Sequence, residues 1–558
     1  MKICFLSNYS IEFIFDSLKK KLASLPVEAE IFYPGFNQFS QQIFNPSSEL
    51  YEQKPELIFL SVDFNYYLNH NFELNNNPPI SSIIKDQIEQ FFEAIKIISH
   101  KLKNSIVLID NFYLHHSFSF GSLEYNYFGL EKFIDELNLQ LSELSSEREN
   151  IRIINIKSLI SRYGQESLFD SRLNYLAKFK WNKKGIDVLT NLYISHIKAY
   201  LGLRKKCIAV DLDNTLWGGI IGQDGIENIQ LSNDGAGKAF YDFQLALLNY
   251  HQQGIILAIC SKNSENVVNE VFEKHPYMVL KPEHFASMKI NWNNKTENLI
   301  EIAKELNIGL DSIVFLDDSK FERELIKKSL PMIAVPELPE EPAFFAEFLK
   351  SLDFFNFHKL TDDDFKRNES YKINLERKKL EGSFSDITEY LRSLEMKIKI
   401  EEINSFTFPR IAQLIQKTNQ FNTTTKRYTE AELKEMWDNK SWRIYSFSVE
   451  DKFGDNGIVG IFILKIKEAE KILDIDSFIM SCRVIGRNIE KAILHFIYEQ
   501  AKLMNLETII GEIIPTPKNE PCRKVYQESD FQYVENVWRL NMSEKKIELP
   551  EYFQLISL

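Results

Sequence analysis

Short apolar runs alternate with longer amphipathic stretches over the first 200 residues of the chain. The amphipathic stretches repeat their apolar positions at helical spacing, as in residues 83–102, and the helical pattern of residues 185–202 ends at a glycine. Alternating strands and helices are typical of a parallel sheet covered by helices. We therefore predict a parallel α/β domain over residues 1–203. Its predicted strands are KICFLS (2–7), ELIFLSV (56–62), SIVLID (105–110) and IRIINI (151–156).

A second alternating block begins at residue 207, and we assign it to a separate α/β domain over residues 204–350. Three prolines, Pro336, Pro339 and Pro342, then precede a charged helical stretch. We place a linker helix there, over residues 351–385. The predicted strands of this second domain are CIAV at 207–210, IILAICS at 255–261 and SIVFLDDS at 312–319.

The last block, residues 386–558, has a different pattern. Helical stretches precede three consecutive strand patterns, and one helix and one further strand follow them. Consecutive strands without helices between them predict an α+β domain with an antiparallel centre. The strand patterns are WRIYSFSVED (442–451), IVGIFILKI (458–466), KILDIDSFIMS (471–481) and TIIGEII (508–514).

Charge and cysteine usage exclude several classes of function. The 558 residues include 66 Lys and Arg against 79 Asp and Glu, a net charge of −13, which argues against general nucleic-acid binding because that needs a basic surface. The five cysteines are too few and too scattered for a disulfide framework, and none forms a Cys-x-x-Cys pair. No apolar stretch approaches the roughly 18 residues of a membrane span. We expect a cytoplasmic protein that binds neither nucleic acid nor membranes.

The strongest chemical signal follows the first strand of the second block. Asp211 and Asp213 leave this strand two residues apart, so both can face one crevice at the carboxyl end of a parallel sheet. Paired carboxylates attract Mg²⁺, and beside the metal one Asp can attack phosphorus while the other moves a proton. Polar caps on strand ends are the alternative, but the order of acids, hydroxyl and lysine favours a site. The residues that could complete it are Ser261, Lys295, Asp317 and Asp318.

At these residues the sequence resembles the haloacid dehalogenase (HAD) superfamily of phosphotransferases. The resemblance implies that Asp211 is the nucleophile that forms an aspartyl-phosphate, and that Asp213 is the general acid and base. It implies that Ser261 and Lys295 bind the phosphate, with Lys289 as the less favoured alternative to Lys295. The implied ligands of Mg²⁺ are Asp211, the backbone carbonyl of Asp213, and one or both of Asp317 and Asp318.

Longer stretches resemble the FkbH-like family. The resemblance implies an α/β protein with an SGNH-like N-terminal domain, a central HAD Rossmann-like domain and a C-terminal GNAT-like acyltransferase domain at 386–558. It also implies a glyceryltransferase/phosphatase that takes 1,3-bisphosphoglycerate, removes phosphate, and loads the glyceryl unit onto the phosphopantetheine thiol of an acyl carrier protein in polyketide-type biosynthesis. The stretches are VDLDNTLWGGIIGQDG (210–225), LAICSKN (257–263), INWNNKTENLIEIAKELNIGLDSIVFLDDS (290–319), TNQFNTTTKRY (418–428) and MSCRVIGRNIE (480–490).

The C-terminal domain contains a possible phosphate loop. Arg483, Gly486 and Arg487 resemble the pyrophosphate loop of GNAT acyltransferases, where backbone N–H groups at a helix N-terminus bind phosphate. Asn488 stands where that pattern has Gly or Ala, and it is a residue that tolerates left-handed conformations. Because its bulk disfavours the pyrophosphate of CoA, the single phosphate of a pantetheine arm is the less demanding ligand.

Two cysteines compete for the acyl group. Cys482 lies beside Arg483 and close to a predicted helix N-terminus, which favours its thiolate. We predict that Cys482 accepts the glyceryl group as a thioester and passes it to the carrier thiol. Cys260, directly before Ser261, is the second candidate, and a small buried core residue is the commoner role for a lone cysteine.

The segment 405–429 contains four basic residues and no acidic residue. On an acidic chain such a segment suits an acidic carrier protein or a phosphate-bearing arm, and a solvated helix face is the alternative. We predict substrate binding by Asn419, Lys426 and Arg427 in this segment.

Three functions remain open from the sequence. The leading one is the glyceryltransferase/phosphatase implied by the resemblance. The alternatives are a HAD phosphatase fused to a GNAT acyltransferase that uses acyl-CoA or another acyl phosphate, and a non-enzymatic module that docks a carrier protein. In the N-terminal domain Ser7 ends the first strand as a nucleophile would, but the Asp-x-x-His signature of SGNH enzymes is missing, so we predict a non-catalytic accessory domain.

Overall fold

The computed structural model describes the chain apart from residues 26, 66–79, 115–128, 359–372, 375, 378–379, 419, 517–518 and 558. The described residues form two units, Met1–Ile197 and Lys198–Leu558. Among them, no helix combines the length and the apolar character needed to cross a bilayer.

The first unit is built on five parallel strands in the order β2-β1-β3-β4-β5. Every residue of β3 and all but Ile106 of β4 are buried, as expected for a parallel sheet with helices on both faces. All four predicted strands are confirmed, whereas the three-residue β2 was too short to predict. The strands are β1 Lys2–Ser7, β2 Glu30–Phe32, β3 Leu57–Ser61, β4 Ile106–Asp110 and β5 Ile151–Ile154.

The helices of the first unit bury apolar side chains, except Ser171–Ala177, which has no buried residue. In the helix Ser82–Lys101, Ile84, Ile88, Phe91 and Ile95 lie three or four residues apart and pack into the core over the sheet. The helices are α1 Glu12–Leu22, α2 Phe39–Phe44, α3 Glu49–Gln53, α4 Ser82–Lys101, α5 Leu130–Glu147, α6 Ile156–Tyr163, α7 Gln165–Leu168, α8 Ser171–Ala177 and α9 Lys183–Tyr200.

The second unit begins with a four-stranded parallel sheet in the order β8-β7-β6-β9. β6 lies at the centre, between β7 and β9, and each residue of β6 is buried. The strands are β6 Cys207–Val210, β7 Ile256–Ser261, β8 Phe285–Ile290 and β9 Ile313–Leu316; the helices are α10 Ile221–Asp224, α11 Gly237–Gln252, α12 Glu265–Lys274, α13 Lys295–Glu305, α14 Lys320–Ser329 and α15 Phe345–Ser351. Much of the predicted linker helix lies outside the described residues.

The rest of the second unit surrounds a larger sheet in the order β16-β17-β15-β14-β13-β12-β10-β18, with β11 also paired to β14. Its centre, β10-β12-β13-β14, is antiparallel, as predicted. The strands are β10 Met396–Glu402, β11 Phe421–Asn422, β12 Trp442–Asp451, β13 Gly454–Lys467, β14 Ile472–Met480, β15 Thr508–Gly511, β16 Gln532–Val534, β17 Val537–Asn541 and β18 Phe553–Ser557; the helices are α16 Ile387–Ser393, α17 Phe408–Lys417, α18 Glu430–Asp438 and α19 Ile489–Leu503.

Candidate active site

Three neighbouring strands of the four-stranded sheet end in polar residues. Asp211 follows β6, Ser261 is the last residue of β7, and Asp317 follows β9. Because β6 pairs in parallel with both β7 and β9, these three positions meet at the carboxyl edge of the sheet. This is the edge at which open α/β sheets bind ligands.

The carboxylates of Asp211, Asp317 and Asp318 converge, with one oxygen from each lying within 4.8 Å of the others. Lys295, the first residue of α13, bridges two of them: its Nζ lies 2.8 Å from Asp211 Oδ2 and 2.6 Å from Asp317 Oδ2. The alternative lysine, Lys289, instead forms ion pairs with Glu301 and Glu305 on α13. The structure therefore brings Lys295, and not Lys289, to the carboxylates.

The crowding of charge shifts the pKa values of these groups. Burial alone would lower the pKa of Lys295, but the charges of Asp211 and Asp317 outweigh it and raise that pKa. Burial raises the pKa of Asp317 to about 6, helped by the charge of Asp211 and opposed by Lys295. Burial also raises the pKa of Asp318, again with a contribution from Asp211. Because Lys295 brings one positive charge to three carboxylates, negative charge remains uncompensated at this edge of the sheet.

The donor set fits a hard divalent cation. Asp211 Oδ1 is buried and has no hydrogen-bond partner in the part of the chain that the structure describes, and a buried carboxylate oxygen without a partner is costly. Asp318 is exposed, so the cluster faces solvent on one side. Oxygen ligands with an open position are what Mg²⁺ binds, because this ion usually keeps several waters.

Asp213 is held by donors of its own. Its Oδ1 accepts hydrogen bonds from Trp217 Nε1 at 2.9 Å and from the Ile221 N–H at 3.2 Å, and its Oδ2 accepts one from Asn263 Nδ2 at 3.0 Å. Burial raises the pKa of Asp213, while the hydrogen bonds from Ile221 and Trp217 oppose the rise. A carboxyl group with a raised pKa, beside the cluster but outside it, suits proton transfer. Metal binding by the backbone carbonyl of Asp213 stays a prediction.

The turn after β6 explains how the donors reach Asp213. Asn214 adopts a left-handed conformation with φ of 53°, and its side-chain oxygen accepts a hydrogen bond from the Gly219 N–H at 2.9 Å. Gly219 itself has φ of 96°, where a side chain would be strained. The chain therefore folds back on itself and places Trp217 and Ile221 against Asp213.

Sequence reasoning missed several residues that support the site. Besides Trp217 and Asn263, Thr215 Oγ1 lies 3.3 Å from Asp318 Oδ1. Arg323 Nη1 donates to the backbone carbonyls of Asp317 and Asp318, both at 2.7 Å. The sequence could have pointed to these residues through proximity, because each of them lies within six positions of a predicted site residue.

Cys260 directly precedes Ser261 at the carboxyl edge of the sheet, but it belongs to the core. It is completely buried in β7, and its thiol donates to the backbone carbonyl of Lys295 at 3.7 Å. Burial strongly raises its pKa. Because neither the thiolate nor an approaching acyl group is favoured there, the geometry argues against Cys260 as an acyl acceptor.

Cys482 lies in a single 3₁₀ turn, Cys482–Val484, directly after β14, and it is half-buried. Its backbone carbonyl accepts a hydrogen bond from Asn307 Nδ2. Asn307 lies two residues beyond the end of α13, whose first residue is Lys295. The loop that carries Cys482 therefore contacts the end of α13 opposite to Lys295 and the carboxylate cluster.

The predicted phosphate loop has the expected backbone but not the expected charges. Gly486 has φ of 87°, and Asn488 has φ of 56° and precedes α19. Arg487, however, is buried, and its guanidinium donates to Asp451 Oδ2 at 3.1 Å and to the Arg483 carbonyl at 2.6 Å. The prediction that Arg487 binds phosphate is thus disfavoured, because its charge is already paired inside the protein. Arg483 donates to Ser481 Oγ at 3.3 Å.

The basic segment is likewise not an open surface. Lys426 Nζ lies 2.6 Å from Asp476 Oδ1. Arg427 donates to the carbonyl of Ile415, and burial lowers its pKa to about 10. The prediction that these side chains bind substrate, a carrier protein or a phosphate-bearing arm stays a prediction, and such a ligand would compete with these partners within the chain. Asn419 lies outside the described residues.

Comparison with known proteins places this architecture in a family. A sequence model of the FkbH N-terminal domain matches residues 2–194. A similar solved structure is the N-terminal part of the protein BF1531 from Bacteroides fragilis, which contains a phosphatase domain complexed with Mg. The two sequences are 30% identical, and the alignment covers 64% of this chain and 95% of that one, with a TM-score of 0.60. The chain belongs to the FkbH-like family.

Other likenesses of this FkbH-like chain are weaker. A spermidine N-acetyltransferase from Vibrio cholerae in complex with CoA and spermine is 14% identical and covers 26% of this chain and 96% of its own length, with a TM-score of 0.21. A domain from Methanocaldococcus jannaschii is 15% identical over 26% of this chain and 99% of that one, with a TM-score of 0.22. TM-scores this low do not assign the C-terminal sheet to either fold. No curated protein matches the chain.

Proposed function

We propose that this FkbH-like chain is a Mg²⁺-dependent phosphatase of the HAD type that serves the transfer of a glyceryl unit. One observation carries the proposal: the carboxylates of Asp211, Asp317 and Asp318 share one pocket at the carboxyl edge of a parallel sheet, and Lys295 bridges two of them. The Mg²⁺ complex of the related phosphatase domain supports the choice of metal.

The geometry supports a two-step displacement. Asp211 attacks phosphorus with one of its carboxylate oxygens, the bond from phosphorus to the leaving oxygen breaks, and Asp213 gives the leaving oxygen a proton. Water then attacks the aspartyl-phosphate, Asp213 takes the proton back, and inorganic phosphate leaves. Lys295 holds Asp211 in place and offers positive charge to the phosphoryl oxygens. Bound by Asp211, Asp317 and Asp318, Mg²⁺ would neutralise the charge that develops on the phosphoryl group.

We further propose that the substrate derives from 1,3-bisphosphoglycerate, that Cys482 carries the glyceryl unit as a thioester, and that an acyl carrier protein receives it. Two observations support Cys482 over Cys260: Cys482 is half-buried in a loop, whereas Cys260 is completely buried in the core. In this proposal the N-terminal domain is SGNH-like and accessory, residues 204–350 form the HAD-like domain, and residues 386–558 form a GNAT-like domain.

The alternative that uses acyl-CoA has less support. A pyrophosphate needs positive charge as well as backbone N–H groups, and Arg487 is committed to its ion pair with Asp451. A single phosphate on a pantetheine arm makes fewer demands on this loop.

When the thiol of Cys482 takes the acyl group, the phosphate on C1 leaves, so the experiment measures the second inorganic phosphate, that of the C3 ester, released from 1,3-bisphosphoglycerate by the full chain with Mg²⁺ or with EDTA. We expect release with Mg²⁺, loss of release with EDTA, and no effect of Asp242→Asn, an exposed carboxylate on α11 that pairs with Lys238. Phosphate release that persists in EDTA, or no release from any glycolytic acyl phosphate, would contradict the proposal.

The acyl step is tested by intact-protein mass spectrometry after the same incubation. We expect a glyceryl adduct that Cys482→Ala removes and Cys260→Ala retains. An adduct that Cys260→Ala removes instead would reverse the assignment, and phosphate release without any adduct would favour a phosphatase that holds no acyl group.

A further inference from the structure

Asp317 and Asp318 are adjacent in the chain, yet the carboxylates of both reach the proposed Mg²⁺ pocket. Successive side chains of an extended strand point to opposite faces of its sheet. β9 ends at Leu316, and the backbone bends at Asp318. The pocket therefore depends on a departure from strand geometry directly after β9, and that departure needs a partner that holds it in place.

Arg323 holds this bend from the first turn of α14. Its Nη1 donates to the backbone carbonyl of Asp317 and to that of Asp318, both at 2.7 Å. A single nitrogen that contacts two successive carbonyls fixes the two peptide groups relative to each other. The carboxylates have partners of their own: the Ser319 N–H donates to Asp317 Oδ1 at 2.8 Å, and Thr215 Oγ1 lies 3.3 Å from Asp318 Oδ1. Arg323 instead fixes the backbone that carries both carboxylates.

The side chain of Arg323 is itself held on its outer side. It is buried, and its Nε and Nη2 lie 3.3 and 3.2 Å from Glu337 Oε2. An arginine presents five N–H donors in one rigid plane, so it can hold carbonyls on one side and a carboxylate on the other. The side chain of Glu337 is exposed and also pairs with Lys327. Contacts thus run from the surface of the protein to the backbone of Asp317 and Asp318.

The positive charge of Arg323 does not by itself favour a cation in the pocket. Its guanidinium lies one hydrogen bond away from the backbone of two proposed Mg²⁺ ligands, and like charges repel. Charge alone therefore predicts that removal of Arg323 strengthens Mg²⁺ binding. Loss of the bend predicts the opposite, because the two carboxylates would no longer face one pocket. The two effects differ in sign, so one binding measurement separates them.

We propose, on the basis of the phosphatase function above, that Arg323 is a positioning residue that sets the Mg²⁺ affinity of the site. It holds the bend at Asp318, so that the carboxylates of Asp317 and Asp318 face one pocket before the metal binds. Replacement of residues that orient metal ligands typically costs about 10- to 100-fold in affinity or activity. In this proposal Arg323 contacts neither the phosphate nor the leaving group, so its effect falls on Mg²⁺ binding and not on the chemical step.

The test titrates the full chain with Mg²⁺ in a calorimeter, without any phosphorylated substrate. We expect Arg323→Met, which removes the donors and the charge, to bind Mg²⁺ about tenfold or more weakly than wild type. Arg323→Lys keeps the charge but lacks the planar fork, and we expect its affinity to lie between the two. In phosphate assays the loss should appear as a higher Mg²⁺ concentration at half-maximal rate, with kcat at saturating Mg²⁺ within about twofold of wild type.

The matched control is Lys327→Met. This change removes a cation from the same helix that also pairs with Glu337, but the other partner of Lys327 is Glu324 and not an aspartate of the pocket. We expect Lys327→Met to leave the Mg²⁺ affinity unchanged.

The outcomes separate this inference from the proposed function. Unchanged or tighter Mg²⁺ binding in Arg323→Met, or an equal loss in Lys327→Met, would overturn the positioning role while the phosphatase stands. Where Arg323→Met fails to fold, Arg323→Lys decides, because wild-type affinity in that variant would mean that only the charge matters. A wild-type chain that releases no phosphate with Mg²⁺ would contradict the phosphatase itself.

Discussion

Two sheet edges of this protein carry the same kinds of residue, but they differ in the hydrogen-bonding and ionic partners of those residues. At the carboxyl edge of the first sheet, Ser61 ends β3 and Asp110 ends β4; at the carboxyl edge of the second, Ser261 ends β7 and Asp211 follows β6. Each edge also has a buried lysine that pairs with a carboxylate. Residue types alone therefore do not distinguish the two edges.

At the first edge the carboxylates are saturated by their own neighbours. Asp110 Oδ2 accepts hydrogen bonds from Ser61 and from the Tyr193 hydroxyl, the latter at 2.6 Å. Ser61 Oγ in turn lies 2.7 Å from the Tyr9 hydroxyl. Asp63 pairs with Lys180 at 2.6 Å. Such a network fixes the fold and leaves little for a ligand to bind.

At the second edge the carboxylates outnumber their partners. Asp211 Oδ1 is buried with no hydrogen-bond partner among the described residues, and Asp318 faces solvent. The two edges therefore differ in whether their carboxylate oxygens have partners, and the proposed phosphatase site is the edge with a buried carboxylate oxygen that has none among the described residues. Each of the following experiments tests that distinction.

The largest expected difference is in catalysis. Asp211→Asn removes the nucleophile, and we expect phosphate release to fall by at least about 10³-fold, because loss of a nucleophile removes the covalent step. Asp110→Asn, the matched change at the first edge, should leave release within about twofold. Steady-state phosphate assays on both variants check this, and a large loss in Asp110→Asn would mean that the first edge takes part in the reaction.

Removing either buried lysine should destabilise the protein by a similar amount, but only the loss at the second edge should be offset by Mg²⁺. Lys295→Ala leaves Asp211 and Asp317 without their cation, and Lys180→Ala leaves Asp63 without its own. Breaking a buried pair by removing one partner costs about 3–5 kcal/mol. We expect thermal unfolding to show a loss of that order in both variants, and added Mg²⁺ to restore part of it in Lys295→Ala alone. Equal rescue of Lys180→Ala by Mg²⁺ would contradict the comparison.

The elements of both edges could be predicted from the sequence because they are encoded locally. A buried parallel strand is a continuous apolar run, so β6, β7 and β9 and the polar residues at their ends were visible without a structure. The convergence of Asp211 and Asp317 followed, because parallel strand ends meet at one edge of a sheet. The short β2 and the mixed sequence of β8 carried no comparable signal.

Partners that are distant in sequence could not be predicted. Arg487 was expected to bind phosphate, but it pairs with Asp451 at the end of β12, 36 residues earlier. Lys426 was expected to bind substrate, and it pairs with Asp476 on β14. A motif specifies which charges are present, whereas packing decides whether another part of the chain has already neutralised them.

A smaller effect should appear in the pH dependence of the first edge. Burial raises the pKa of Asp110 from 3.8 to about 6, although hydrogen bonds from Ser61 and Tyr193 and the charge of Lys180 oppose the rise. A raised pKa means that the folded state binds its proton more tightly, so this contribution to stability is complete below about pH 4 and is lost as the pH rises through about 6. The difference between these two pKa values corresponds to about 3 kcal/mol in the free energy of unfolding.

Hydrogen exchange of the backbone amides of β4, the strand that ends at Asp110, measures the contribution of this protonation to stability. Between pH 7 and pH 4 we expect the stability of wild type to rise relative to Asp110→Asn, which cannot titrate, once the intrinsic pH dependence of exchange is removed. A relative fall over this interval would show that Asp110 is held ionised, and that the network of the first edge compensates its charge fully.

The smallest effects compare single hydrogen bonds to a carboxylate at each edge. Tyr193→Phe removes one donor to Asp110, and Trp217→Phe removes one donor to Asp213. A hydrogen bond to a charged group contributes about 1.5–3 kcal/mol. We expect Tyr193→Phe to lose stability at the low end of that range without changing phosphate release. We expect Trp217→Phe to lower kcat/KM by about tenfold, because Asp213 then samples orientations that do not face the leaving oxygen. If Trp217→Phe changes only stability, Asp213 is a structural carboxylate like Asp110, and the distinction between the two edges rests on Asp211 alone.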